Sequence, residues 1–233
     1  MDGEAQQTEA SDAKVATRYN RVVIWLHWTI AVLIAYNIAV GFWMEGVSPS
    51  WRRIIIPIHM SSGITVLVLT IVRILWRVAH EPPPHSPKMA KWEVYCANLA
   101  HISLYGLMIA VPLSGWAIVS TNPPPNSEGA ALFAEQAIAR GVKPRRIGPR
   151  ELWWTVPLPM MSYFEEIGET REGVEPQRVL HDRAVEVHAV LAIMLIFLLL
   201  LHIGGALKHQ WMDGDDELAR MGLRWRRLGK PSA

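Results

Sequence analysis

The stretch that decides the fold is VHAVLAIMLIFLLLLHIGGALKH, Val187 to His209. An unbroken apolar run from Ala189 to Leu201 has His188 at one end and His202 at the other. A helix needs about 20 apolar residues to cross about 30 Å of hydrocarbon, and this stretch with its flanks supplies them. The two imidazoles are 14 residues apart. That is a rise of about 21 Å and a rotation about 40° short of four full turns, so both lie on one face of the helix. Ionisable groups are costly inside a membrane span, which makes them functional candidates there.

Working outward, three more runs of this length lie at residues 22–44, 54–76 and 94–120, and the fourth span is set at 184–207. No extended alternation competes with them, and a lone membrane hairpin would leave unpaired backbone in lipid. The expected class is all-α, a four-helix transmembrane bundle. Composition agrees. Of the 233 residues 51% are hydrophobic, 19% are charged and 11 are tryptophan, which is unusual for a soluble domain. The one cysteine, Cys96, leaves no intrachain disulfide, and no CxxCH motif is present to attach haem covalently.

The opening MDGEAQQTEASDAK is acidic and polar, unlike a signal peptide, and residues 1–20 read as a disordered tail. Lys14, Arg18 and Arg21 precede the first span; Arg77, Lys88 and Lys91 follow the second; Lys208, Arg220, Arg224, Arg226, Arg227 and Lys230 follow the fourth. The connection between spans one and two offers only Arg52 and Arg53. The positive-inside rule then puts both termini in the cytoplasm, with the bundle over 21–210 and a basic tail over 211–233. The expected surroundings are a lipid bilayer, and no nucleic-acid partner is expected.

HEPPPHSPK cannot continue a helix, so it ends the second span in a short turn where His80 and His85 are solvated. The long connection, 121–183, opens with NPPPN and contains the helix-like GAALFAEQAIARG, then LWWTVPLPMM and the acidic EEIGETREGVEP. It reads either as an interfacial loop with Trp153 and Trp154 at headgroup level, or as a cap over a cofactor edge or a partner's docking surface.

Five histidines fall inside spans: His27, His59, His101, His188 and His202. Arg21 to His27 and His202 to Lys208 are each six residues, which sets those two imidazoles level, about 9 Å inside one edge. Arg53 to His59 is six and Arg183 to His188 five, so a second pair is level near the opposite edge. Two level pairs from different helices make two sites with two axial nitrogens each, which suits six-coordinate haem iron. Zinc would want three or four protein ligands at one depth, and no carboxylate lies deep in a span.

Arg73, 14 residues beyond His59, falls level with the first pair, to clamp a haem propionate or simply to snorkel. Gly41, 14 beyond His27, and Gly63, one turn beyond His59, leave room for a macrocycle at the second pair or serve helix packing. His101 lies near the depth of His27 and competes with it as partner to His202; depth does not choose between them. His181 lies outside the hydrocarbon and reads as a loop or propionate-facing residue. His209, seven beyond His202, sits with Lys208 at the interface, to bind a propionate or quinone headgroup or to act as an anchor.

These pieces resemble the bacterial cytochrome b-561 family of four-helix, di-haem inner-membrane proteins. The matching stretches are IWLHW around His27, IHMSSGITVLVLTIVRILWR from Ile58, AHISLYGLMIAVPLSGW from Ala100, and LHIGGALKHQWMDGDDELARM closing the fourth span. They cover all four helices in order. The resemblance implies two non-covalent haem b groups, with His27 and His202 ligating the cytoplasmic-side one and His59 and His188 the outer one. His101 then becomes a further contact of the haem site.

The function so implied is electron transfer between the ubiquinone pool and a periplasmic partner or small oxidant, in a respiratory context. Its enzymatic version oxidises superoxide at the outer surface near Arg52 and Arg53 and reduces ubiquinone. The alternative is a membrane-anchor cytochrome b subunit for a periplasmic dehydrogenase or hydrogenase. A cofactor-free scaffold whose histidines only bond between helices is the reading from another class. No catalytic residue is assigned beyond the cofactor contacts, and the connection at 121–183 looks longer than in compact members of the family.

Overall fold

The structure is a computed structural model that describes residues 18–44, 46–80, 82–84, 89–141, 143, 150–212 and 217–223. Its elements, in chain order, are α1 Arg21–Trp43, α2 Pro49–Ala79, α3 Lys91–Ser120, α4 Glu128–Ala139, β1 Arg150–Leu152, β2 Val156–Leu158, α5 Ser162–Ile167, α6 Val174–Trp211 and α7 Glu217–Arg220. Four of them, α1, α2, α3 and α6, are long and apolar enough to cross a membrane. Their starts follow local chemistry. The Asn20 side chain accepts from the Val23 N–H at 2.9 Å to cap α1. Pro49 opens α2, where its missing N–H costs nothing. The Glu93 carboxylate accepts from the Ala90 N–H at 3.0 Å at the start of α3.

The long helices pack in sequence, α1 on α2, α2 on α3 and α3 on α6. Among the described residues α1 and α6 make at most marginal direct contact. Large apolar side chains such as Val32, Leu75, Ile102, Ile193, Phe197 and Leu200 face outward all round the bundle, as lipid contact requires. Both ends of the described chain meet at one end of the bundle, called here the terminal end. There the Tyr19 N–H donates to the Arg220 carbonyl at 3.3 Å, and Trp28 Nε1 donates to the Met221 carbonyl at 3.0 Å. The opposite end is the distal end. Between them Ile30, Ile34, Val66, Leu107, Met108 and Leu195 form a buried apolar central layer. Leu195 stands seven residues from both His188 and His202 of α6.

The expectation of an all-helical chain needs one correction: β1 and β2 pair as a small antiparallel hairpin, with Leu152 opposite Val156. A run of three residues per strand is too short for its alternation to stand out in sequence. The helix-like stretch of the connection does form α4. A second correction concerns His181, which is helical, because α6 begins at Val174, ten residues before the expected span. Apolarity marks where a helix enters lipid and says little about where it begins; Pro176 is tolerated because it lies in the first turn. Residues 1–17 of the expected tail, His85 and Lys88 of the turn, and the basic residues after 223 lie outside the described residues.

Candidate functional site

Two imidazole pairs occupy the two ends of the interior. At the terminal end the rings of His27 on α1 and His202 on α6 have centroids 6.3 Å apart, with planes at 64°. At the distal end His59 on α2 and His188 on α6 are also 6.3 Å apart, with planes at 77°. A metal held in line between two imidazoles, with metal–nitrogen bonds of about 2.0–2.1 Å, sets the ring centres about 6 Å apart. Both pairs therefore stand at a two-ligand separation. Among the described residues no three His, Cys, Asp or Glu side chains gather into a metal cage.

His101 flanks the terminal pair from α3, its centroid 5.2 Å from that of His202. His101 thus stands nearer to His202 than His27 does, and all three rings line the terminal end.

The surroundings leave room for a flat cofactor. A Cβ built at Gly63 or at Gly205 would meet nothing within 4 Å, although both residues are half-buried. Gly41 stands against His59, where an added Cβ would lie 3.9 Å from Cε1. Gly115 is tighter, with its Cβ position 3.3 Å from His188 Cε1.

Polar partners fix the rings. His188 Nδ1 lies 3.1 Å from the Val111 carbonyl and 3.0 Å from Ser114 Oγ. The carbonyl can only accept, so Nδ1 carries the proton and Nε2 keeps a lone pair for a ligand. His59 Nδ1 is buried without a hydrogen-bond partner among the described residues. Arg73 Nη1 reaches His27 Nδ1 at 2.9 Å, and its guanidinium lies over the Tyr105 ring at 5.8 Å. His209 is half-buried beside Lys208, whose ammonium pairs with Glu93 of α3 at 2.5 Å. His181 Nδ1 bonds Thr121 Oγ1 at 2.9 Å, and exposed His80 stacks on Trp76 at 4.2 Å.

Ser114, the Val111 carbonyl and Gly115 were not singled out in the sequence. They stand about 75 residues from His188, and nothing in PLSGW marks them before α3 and α6 are packed.

Residues 18–223 match the family described as prokaryotic cytochrome b561. The chain belongs to that family. It is thus a cytochrome b561 family membrane protein of electron transport, and the family implies b-type haem binding. The chain is similar to cytochrome b561 homolog 2 of Escherichia coli K12, 28% identical over 93% of this chain and 94% of that protein. It is similar over a shorter stretch to the probable superoxide oxidase CybB of Yersinia pestis, 34% identical over 44% of this chain and 58% of that protein. Cytochrome b561 homolog 1 of Escherichia coli K12 matches at 29% over a comparable share. Paired imidazoles for ligands and open space at glycines beside them suit a b-type haem, so the residues fit the family's cofactor.

Proposed function

We propose that this cytochrome b561 carries electrons across the bacterial inner membrane through two b-type haems, one at each imidazole pair. The observation that carries the reading is the identical 6.3 Å separation of two pairs stacked at opposite ends of one helix. In this reading His27 and His202 hold the haem at the terminal, cytoplasmic end, and His59 and His188 hold the one at the distal, periplasmic end. Held by two imidazoles at each site, haem would supply reversible one-electron chemistry.

The chain's own groups do the rest. The Val111 carbonyl and Ser114 keep the His188 proton on Nδ1. Gly41, Gly63 and Gly205 keep the macrocycle space open. Arg73 offers a bidentate partner to a propionate. The central apolar layer keeps water from joining the two sites. His101 lines the terminal site, and His209 with Lys208 offers polar contacts to a ubiquinone headgroup near the terminal edge. Orientation with both termini in the cytoplasm rests on the distribution of Lys and Arg.

Loading the purified protein and counting haems tests the reading: two per chain and a reduced b-type α-band are expected. His188→Ala and His202→Ala should each remove one haem. If both variants keep two, the ligand assignment is wrong.

The enzymatic version, in which superoxide is oxidised at the distal face and ubiquinone reduced, is favoured by the partial likeness to a probable superoxide oxidase and by exposed Arg52 and Arg53 at that end. Rapid mixing of the oxidised protein with superoxide, and separately with quinol, decides which donor reduces it. Co-purification of a periplasmic redox subunit would instead favour the membrane-anchor role.

A further inference from the structure

The segment after α6 ties together two long helices that hardly touch. Among the described residues α1 and α6 have at most marginal direct contact, and the His27–His202 pair spans them. Residues 217–223, α7 and the turn behind it, form a strap that bonds at the terminal end to parts of the chain far apart in sequence. The Leu218 N–H donates to Gln210 Oε1 at 3.2 Å, which fastens the strap to α6 through a residue only 4% exposed. Trp28 of α1 donates its indole N–H to the Met221 carbonyl at 3.0 Å. Just before α1, the Tyr19 N–H donates to the Arg220 carbonyl and Arg18 Nε to the Ala219 carbonyl, each at 3.3 Å. The Arg220 guanidinium lies over the Tyr19 ring at 5.9 Å and donates to the carbonyls of Pro83 and Pro84, between α2 and α3.

The path of the strap backbone makes this possible. Gly222 has φ of 88°, a left-handed conformation that a side chain rarely adopts, and a Cβ there would stand 3.3 Å from Ile24 Cγ2 of α1. The turn is also closed on itself. The N–H groups of Met221 and Leu223 donate to the Leu218 carbonyl, and that of Gly222 to the Ala219 carbonyl. Successive carbonyls at Ala219, Arg220 and Met221 are thereby presented as one unit to Arg18, Tyr19 and Trp28. The distal end is fastened differently. There the long connection bonds to α2 through Trp153 and to α3 through Trp116 and Ser120, and α2 and α3 already pack on each other.

We infer, resting on the di-haem reading above, that residues 217–223 are a latch on the terminal haem site, which closes the gap between α1 and α6 over the cofactor and governs how fast it leaves. A flat macrocycle held between those two helices must part them on its way in or out. Their direct packing is too slight to resist this, so the resistance falls to the bonds that run from α1 through the strap to α6. Because the strap is a single closed turn, parting breaks its bonds to Trp28, Tyr19 and Arg18 together. A haem at the distal pair is held between α2 and α6 and lies beyond the reach of the latch.

Transfer of haem from the loaded, full-length protein to an excess of haem-free myoglobin, followed by absorbance, tests the inference. Trp28→Phe keeps an aromatic ring and removes the donor to Met221, and Gly222→Ala displaces the strap from Ile24. Each should speed the departure of one haem roughly fivefold, the worth of a hydrogen bond, and leave the other unchanged. The same acceleration is expected in a His59→Ala background, which holds only the terminal haem, and none in a His27→Ala background, which holds only the distal one. Should Gly222→Ala fail to fold, Trp28→Phe decides. A general loss of stability would speed both haems alike; that result, an unchanged rate in the His59→Ala background, or acceleration in the His27→Ala background overturns the latch. A haem content other than two in the unaltered protein overturns the di-haem reading itself, and it is read before any release rate.

Discussion

At Gly115 the distal imidazole comes so close to the backbone of α3 that an added methyl group would stand 3.3 Å from His188 Cε1 and 3.5 Å from Nδ1. The ring has little freedom to retreat, because Nδ1 is tied to the Val111 carbonyl and Ser114. Overpacking of this kind costs about 1–3 kcal/mol. Gly115→Ala should therefore loosen the distal haem and leave the terminal one in place, as measured by haem retention on dilution. Equal loss of both haems would show that the contact is not specific to His188. Gly115 was illegible in the sequence because a glycine in a membrane helix has several ordinary uses, and only the packing of α3 on α6 shows which one applies. His59 and Gly41 were more legible, since each lies at a countable depth on its own helix.

At the scale of elements the hairpin is the part least like its expectation. Trp153 and Trp154 have φ of 51° and 58° at its turn, where Asn-Gly would be usual. Left-handed backbone costs a side chain roughly 1–2 kcal/mol per residue. At Trp153 tertiary bonds offset it: its N–H donates to Ser61 Oγ at 2.8 Å and its indole to Thr65 Oγ1 at 3.2 Å. Exposed Trp154 shows no such bond among the described residues. Trp154→Gly should accordingly raise the unfolding temperature by about 2–4 °C per kcal/mol relieved, whereas Trp153→Gly should lower it. A fall in both would mean that Trp154 holds the cap by lipid contact.

On the same cap Arg171 clasps Glu135 of α4 through two bonds, 3.3 and 2.8 Å long. That hydrogen bonding, reinforced by the arginine's charge, holds the Glu135 carboxyl below its ordinary value. A lowered folded value means that the clasp contributes fully above the ordinary carboxylate range and fades as pH falls through Glu135's own value. Both groups are exposed, so the effect is small. Proteolysis of the connection should quicken on acidification in the native chain, and Glu135→Gln should make it insensitive to pH over that range.

Over the whole molecule the packing is uneven. α3 and α6 are well joined, and Lys208 and Glu93 pin their terminal ends, while α1 and α6 have at most marginal contact in the described residues. A haem held between His27 and His202, as proposed above, would bridge that gap. Ligands that bind only the folded state stabilise it by mass action, here where direct packing is thinnest. Removing haem should therefore raise hydrogen exchange first in α1 and last along the α3–α6 contact. Uniform exchange after removal would argue that α1 is held by α2 alone.

The amino-acid sequence by itself determined the four apolar helices, their order and which span histidines stand level with each other. Those follow from the length of a bilayer and the rise of a helix, which are local rules. It could not find the acceptors on His188, or see that a tryptophan turn would dock on α2. These depend on the rotation of each helix about its axis. Rotation is set by side chains from distant segments meeting one another, so only the tertiary structure decided it.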